Sequence, residues 1–162
     1  MPNTLIIGYG NPLRGDDGVG WRVAERLRAA IHDPDIEILA VHQLTPELMD
    51  PISRAGRVIF IDAAAGPVPG EIQERTVEPH AAAGAAFSHH ATPAALLAGA
   101  RTLYGRAPQA TLLTVAGADF SLSDDLSPAV GSRVDAVVEA ALGSVRRQSG
   151  AKRRDWVRPS PG

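Results

Sequence analysis

"TLIIGYGNPLRGDDGVG", residues 4–20, runs an aliphatic stretch straight into a turn of glycine, asparagine and proline, then sets two aspartates side by side where a new apolar period begins. Residues 4–10 read as a buried strand. From 18 to 32, Val19, Val23, Leu27 and Ile31 recur four apart, with Arg22, Glu25, Arg26 and Arg28 on the other side, the pattern of an amphipathic helix. A strand, a tight turn and a helix in that order open an α/β fold with a largely parallel sheet, provided the alternation continues.

It does continue. Strands are predicted at 36–42, 57–63 ("RVIFIDA"), 71–77 and 110–118, and helices at 45–56, 92–105 and 127–148. The alternation in 71–77 suggests a half-exposed edge strand. Pro51 should kink or shorten the second helix. Thr45-Pro46, Thr92-Pro93 and Ser127-Pro128 each offer a hydroxyl cap followed by proline at the first helical position, which marks three helix starts. Residues 79–91, rich in alanine and histidine, read as loop.

The bulk numbers fit one domain. The chain has 162 residues, 44% of them apolar and 21% charged, enough to bury a core and too apolar for disorder. We expect a single domain over 1–148 and a flexible basic tail over 149–162, where "RRQSGAKRRDWVR" trails the last helix. A net charge of −2 makes no case for nucleic acid as partner, and no run is long and apolar enough for membrane insertion. A cytoplasmic protein is expected. With no cysteine, a thiol nucleophile, a disulfide and a thiolate metal ligand are all excluded.

In open parallel sheets, sites form beyond the carboxyl ends of the strands, where strand order reverses. Asp16 and Asp17 leave the end of the first strand, and Asp62 stands at the end of the third. One carboxylate at a helix N-terminus serves as a cap; two exceed that need and leave one for the crevice as a ligand or acid/base group. After "VIFI", the Asp62 carboxylate needs a cation, a set of donors or water. His90, with His89 beside it, precedes a helix start and would complete an Asp/Asp/His set suited to nickel, zinc, iron or manganese. His32, His42 and His80 lack such company. The Gly8-Tyr9-Gly10 pair invites a dinucleotide site, but Leu13 takes the place of the third glycine, and the second strand ends in histidine rather than an acid. Neither GxSxG nor HExxH occurs, which argues against a serine hydrolase and a resident-zinc protease of those types.

"GYGNPLRGDDGVG", "VIFIDA", "SHH" and "LSPAV" together resemble the maturation endopeptidases of nickel–iron hydrogenases, over a span from Leu5 to about Val145. The resemblance implies a three-layer α/β sandwich, with a central, mostly parallel, twisted sheet of about five strands and helices on both faces. It implies a metal site of Asp17, Asp62 and His90, His89 being the alternative one residue away, with Asp17 and Asp62 also the catalytic groups. It also implies the activity, an aspartic-type cut that removes a C-terminal extension from the large-subunit precursor after nickel is inserted, by a protein expected to be a monomer. The nickel is expected to come with the substrate, other divalent metals suiting the same ligands. Two segments depart from the family pattern: "GADFS" follows the fifth strand, and "HQLTPEL" replaces a glycine-rich turn. Two other readings predict different behaviour: a docking factor that checks nickel loading without cutting, and a nucleotide- or phosphate-binding domain.

Overall fold

The structure, a computed structural model, describes residues 2–81 and 91–154, with 148–154 described as helix backbone alone. Its centre is two strands whose every early residue is buried: β1 (Thr4–Tyr9) and β3 (Arg57–Ala64). Such continuous apolar runs need cover on both faces, which is what a parallel sheet between helix layers provides. Their neighbours are β2 (Ile36–Val41), β5 (Gln109–Ala116) and β4 (Ile72–Val77), in the order β2-β1-β3-β5-β4. All pairings are parallel except β4 with β5, where Ile72 faces Val115 and Val77 faces Ala110. The sheet is therefore mixed, and the expected edge strand is its one antiparallel member.

Side-chain alternation divides the core. Leu5, Ile7, Val58, Phe60 and Leu112 meet α2 (Met49–Arg54) and α3 (Pro93–Tyr104) on one face. Ile6, Ile59, Ile61, Leu113 and Val115 meet α1 (Val19–Ala30), α4 (Pro128–Gly131) and α5 (Val134–Arg154) on the other. Each such buried aliphatic or aromatic side chain contributes about 1.5–3 kcal/mol through removal from water. The three-layer α/β sandwich expected from the sequence is what forms.

Three local expectations change. The helix expected over 127–148 is interrupted: after Gly131 the turn tightens, Arg133 N–H reaching the Val130 carbonyl at 2.9 Å, and α5 restarts at Val134. α5 then runs on to Arg154, past the expected end at 148, while 155–162 lie outside the described residues. The segment 45–56 begins as a 3-10 turn, Pro46–Leu48, so Pro51 falls in the first turn of α2, where its missing N–H costs little. Thr92 and Ser127 cap as expected, accepting from Ala95 N–H and Val130 N–H, but Thr45 makes no such bond, its hydroxyl being engaged by Glu47.

Candidate functional site

The glycines of the opening turn bring helix and sheet unusually close. A Cβ on Gly8 would lie 2.1 Å from the Gly20 carbonyl oxygen, and one on Gly20 would lie 2.2 Å from that of Ile61. The first turn of α1 thus rests directly on the ends of β1 and β3. Gly10 adopts φ +143°, and a Cβ there would lie 1.8 Å from the Asp17 carbonyl oxygen, so only glycine lets the 3-10 turn Gly15–Gly18 fold back over the strand end. The room left by the missing side chain of Gly8 is taken by this chain's own helix, Gly20 and Ala24 being its nearest neighbours.

β2 lies to one side of β1, while β3 and β5 lie to the other, so the chain order reverses between β1 and β3, and the switch point lies at their carboxyl ends. Asp17 reaches it from the 3-10 turn, with its Oδ2 accepting the Asn11 N–H at 2.8 Å. Asp62 reaches it from β3. Gly8 pairs with Ile61, so the next residues, Tyr9 and Asp62, stand side by side. By alternation they share the face of Leu5, Ile7, Val58 and Phe60. The Tyr9 hydroxyl hydrogen-bonds the Asp62 carboxylate, and its ring meets Phe60 edge-on with centroids 6.5 Å apart.

This environment sets the acidity of both groups. Burial pushes the Asp62 carboxyl up to about 6; bonds from Tyr9 and the Ala63 N–H oppose the rise, and the negative charge of Asp17 adds to it. Burial, followed by the charge and hydrogen bond of Asp62, raises the Tyr9 phenol well above its ordinary range, against a smaller lowering by Arg75. Tyr9 therefore stays protonated and acts as a fixed donor. Arg75, on β4 beside Leu112, brings a positive charge within electrostatic reach of Tyr9.

Asp16 has a different task from the one the sequence suggests. Neither aspartate caps α1, whose N-terminus has no side-chain cap bond. Asp16 is fully buried and points away to the loop after β5, accepting N–H bonds from Ala118 (2.8 Å), Asp119 (3.0 Å) and Ser127 (2.8 Å) and the Ser127 hydroxyl (2.8 Å). Burial acts to raise its pKa, but these four donors together hold it below the usual carboxylate value. It pins two loops and the cap of α4 to each other.

The structure places Asp17 within electrostatic reach of Asp62. His89 and His90 lie outside the described residues, and among the described residues no group of three or more His, Asp or Glu is arranged to hold a metal. His32, His42 and His80 are exposed, His42 lying against the Trp21 ring. The two carboxylates suit a cation in one respect: the repulsion and burial that raise Asp62 are what a divalent ion between them would relieve. Sequence reasoning missed Tyr9. Its signal was the shared alternation of residues 5-7-9 and 58-60-62, which becomes informative once β1 and β3 are known to be neighbours.

No protein-family profile matches the chain, and no curated protein matches it by sequence. Solved structures do. The hydrogenase maturating endopeptidase HybD from Escherichia coli is similar at 26% identity and TM-score 0.75, over 93% of this chain and 94% of that one. A NiFe hydrogenase maturation protease, HycI from Thermococcus kodakarensis, is similar at 26% identity and TM-score 0.69, over 86% and 89%. The solution structure of an endopeptidase from Escherichia coli is similar at 25% identity and TM-score 0.73, over 91% and 94%. These neighbours bear out the resemblance drawn from the sequence and, with it, the peptidase class.

Proposed function

Starting from a chain that shares its fold, nearly end to end, with hydrogenase maturation endopeptidases, we propose that it removes the C-terminal extension of a nickel–iron hydrogenase large-subunit precursor once nickel is in place. Asp17, Asp62 and His90 engage the nickel that the precursor presents. The observation that supports this best is the carboxylate pair at the strand-order reversal: Asp62 is buried against Tyr9 and feels the charge of Asp17.

Nickel, as part of the substrate, supplies Lewis acidity beside the bond to be cut. The chain's own residues do the rest. Asp17, tethered to the Asn11 N–H, and Asp62, tethered to Tyr9, orient the nickel-bearing segment. The Asp62 carboxylate accepts a proton from the attacking water as the water oxygen adds to the peptide carbonyl. It then returns the proton to the leaving nitrogen as the C–N bond breaks. Burial, which holds the Asp62 carboxyl above the ordinary carboxylate range in the absence of substrate, favours its use as a base. On this proposal the protein works in the cytoplasm as a monomer; among the described residues no helix is long and apolar enough to cross a membrane.

The imidazole partner is tested by changing His89 and His90 to alanine one at a time and following precursor length by mass spectrometry. We expect His90→Ala to cut the processing rate at least about 100-fold, the usual scale for loss of one electrostatic or ligating group at a reacting centre, and His89→Ala to leave it near wild type. The reverse result moves the ligand by one position. Normal processing by both variants removes histidine from the site.

A further inference from the structure

Leu13, Phe120 and Leu122 are large apolar side chains left 58%, 39% and 81% exposed, on two loops far apart in sequence. The loops are held rigidly together. Arg14 and Ser123 form a parallel bridge, with the Ser123 N–H on the Leu13 carbonyl and the Gly15 N–H on the Ser123 carbonyl, each at 2.9 Å. The Asp16 N–H adds a bond to the Asp119 carbonyl at 2.8 Å, and Asp119 Oδ1 accepts from the Ser121 N–H and hydroxyl. In a parallel bridge the residues just before the paired ones lie in register, so Leu13 and Leu122 stand beside one another on one side of it. A mobile loop could tuck such side chains away; a braced one displays them, and apolar surface displayed this way marks a contact site.

The face is continuous with the carboxylate pair. The Leu13 N–H bonds Asn11 Oδ1 at 2.9 Å, and the Asn11 N–H bonds the Asp17 carboxylate at 2.8 Å, so Leu13 sits two hydrogen bonds from Asp17. Asp119, Asp124 and Asp125 are exposed on the same loop as Leu122, three acids against two cations: Arg14 on the facing loop, and Arg22, which donates to the Pro12 and Asp124 carbonyls. The balance is acidic. We propose that the Leu13–Leu122 face is where the precursor segment next to the cut bond docks, an extended stretch carrying apolar side chains with a nearby Lys or Arg. This rests on the precursor-processing role above. The apolar pair supplies affinity, and the acidic surround selects a basic segment and speeds its arrival.

Titration calorimetry of the full chain with nickel-free precursor tests the proposal without any contribution from the metal. Wild type should bind it, and the double variant Leu13→Ser/Leu122→Ser should bind at least tenfold more weakly. Its melting temperature should stay within about 2 °C of wild type, both leucines being exposed. With loaded precursor the double variant should raise KM at least tenfold and leave kcat unchanged. Equal affinity in the double variant, or no binding by wild type, overturns the docking surface. If wild type binds through this face but never shortens the loaded precursor, the endopeptidase role fails and the docking surface stands. If wild type shortens it and the double variant does so with unchanged KM, the docking surface fails and the role stands.

Discussion

Replacing Asp62 with asparagine should make the protein more stable at pH 8 and abolish processing. Folding carries the Asp62 carboxyl from an ordinary value of 3.8 to about 6, so at pH 8 the fold pays to keep it ionised. About two pKa units correspond to about 3 kcal/mol. The asparagine side chain of the variant keeps an acceptor for the Tyr9 hydroxyl and the Ala63 N–H while removing the charge, and at about 2–4 °C per kcal/mol for a chain of this size the melting temperature should rise by about 6–12 °C. The sign follows from proton binding. The folded state binds the proton more tightly, so the cost of the carboxylate is absent below about pH 4, grows between 4 and 6, and is complete above 6. The gain should therefore shrink away in acid. Melting curves of both proteins at pH 4 and pH 8 check this; an unchanged or lowered melting temperature at pH 8 contradicts the buried-carboxylate account. Extra stability with lost activity is the usual mark of a residue kept for its chemistry.

Asp16→Ala should do the opposite, lowering stability by about 3–5 kcal/mol, because it strands the N–H groups of Ala118, Asp119 and Ser127 and the Ser127 hydroxyl in a fully buried position. Ser127 is also the cap of α4, so the loss should reach that helix. Here the folded pKa lies below the ordinary one. The stabilisation is complete above about pH 4 and is lost as the pH falls through the native value, so the gap between wild type and variant should narrow in strong acid. Urea unfolding at pH 7 and pH 3 measures both points. A loss under about 1 kcal/mol at pH 7 would show that the two loops hold without this carboxylate.

These two neighbouring aspartates show where sequence reasoning reaches its end. Local periodicity located all five strands to within a few residues, and an acid after "VIFI" marked Asp62 because a carboxylate there has no apolar use. What the turn "GYGNPLRGDDG" could not disclose is direction. Asp16 and Asp17 are chemically identical, and the partners that tell them apart are remote: Ala118, which binds Asp16, lies 102 residues downstream. Tyr9 was hidden for a related reason, since the alternation was visible but the adjacency of β1 and β3 was not. The break between α4 and α5 comes from one tightened turn at Val130–Arg133 inside an otherwise sound apolar period. The glycines were legible as a turn, and the structure shows what that turn admits, the first turn of α1 against the strand ends.

The most direct measurement is the intact mass of the precursor after incubation with the purified protein, in four mixtures: nickel-loaded or nickel-free precursor, with wild type or Asp62→Asn. The account predicts a shortened precursor, and a released C-terminal peptide, only where wild type meets the loaded form. An unshortened loaded precursor would contradict it, and so would equal cutting by the Asp62→Asn variant.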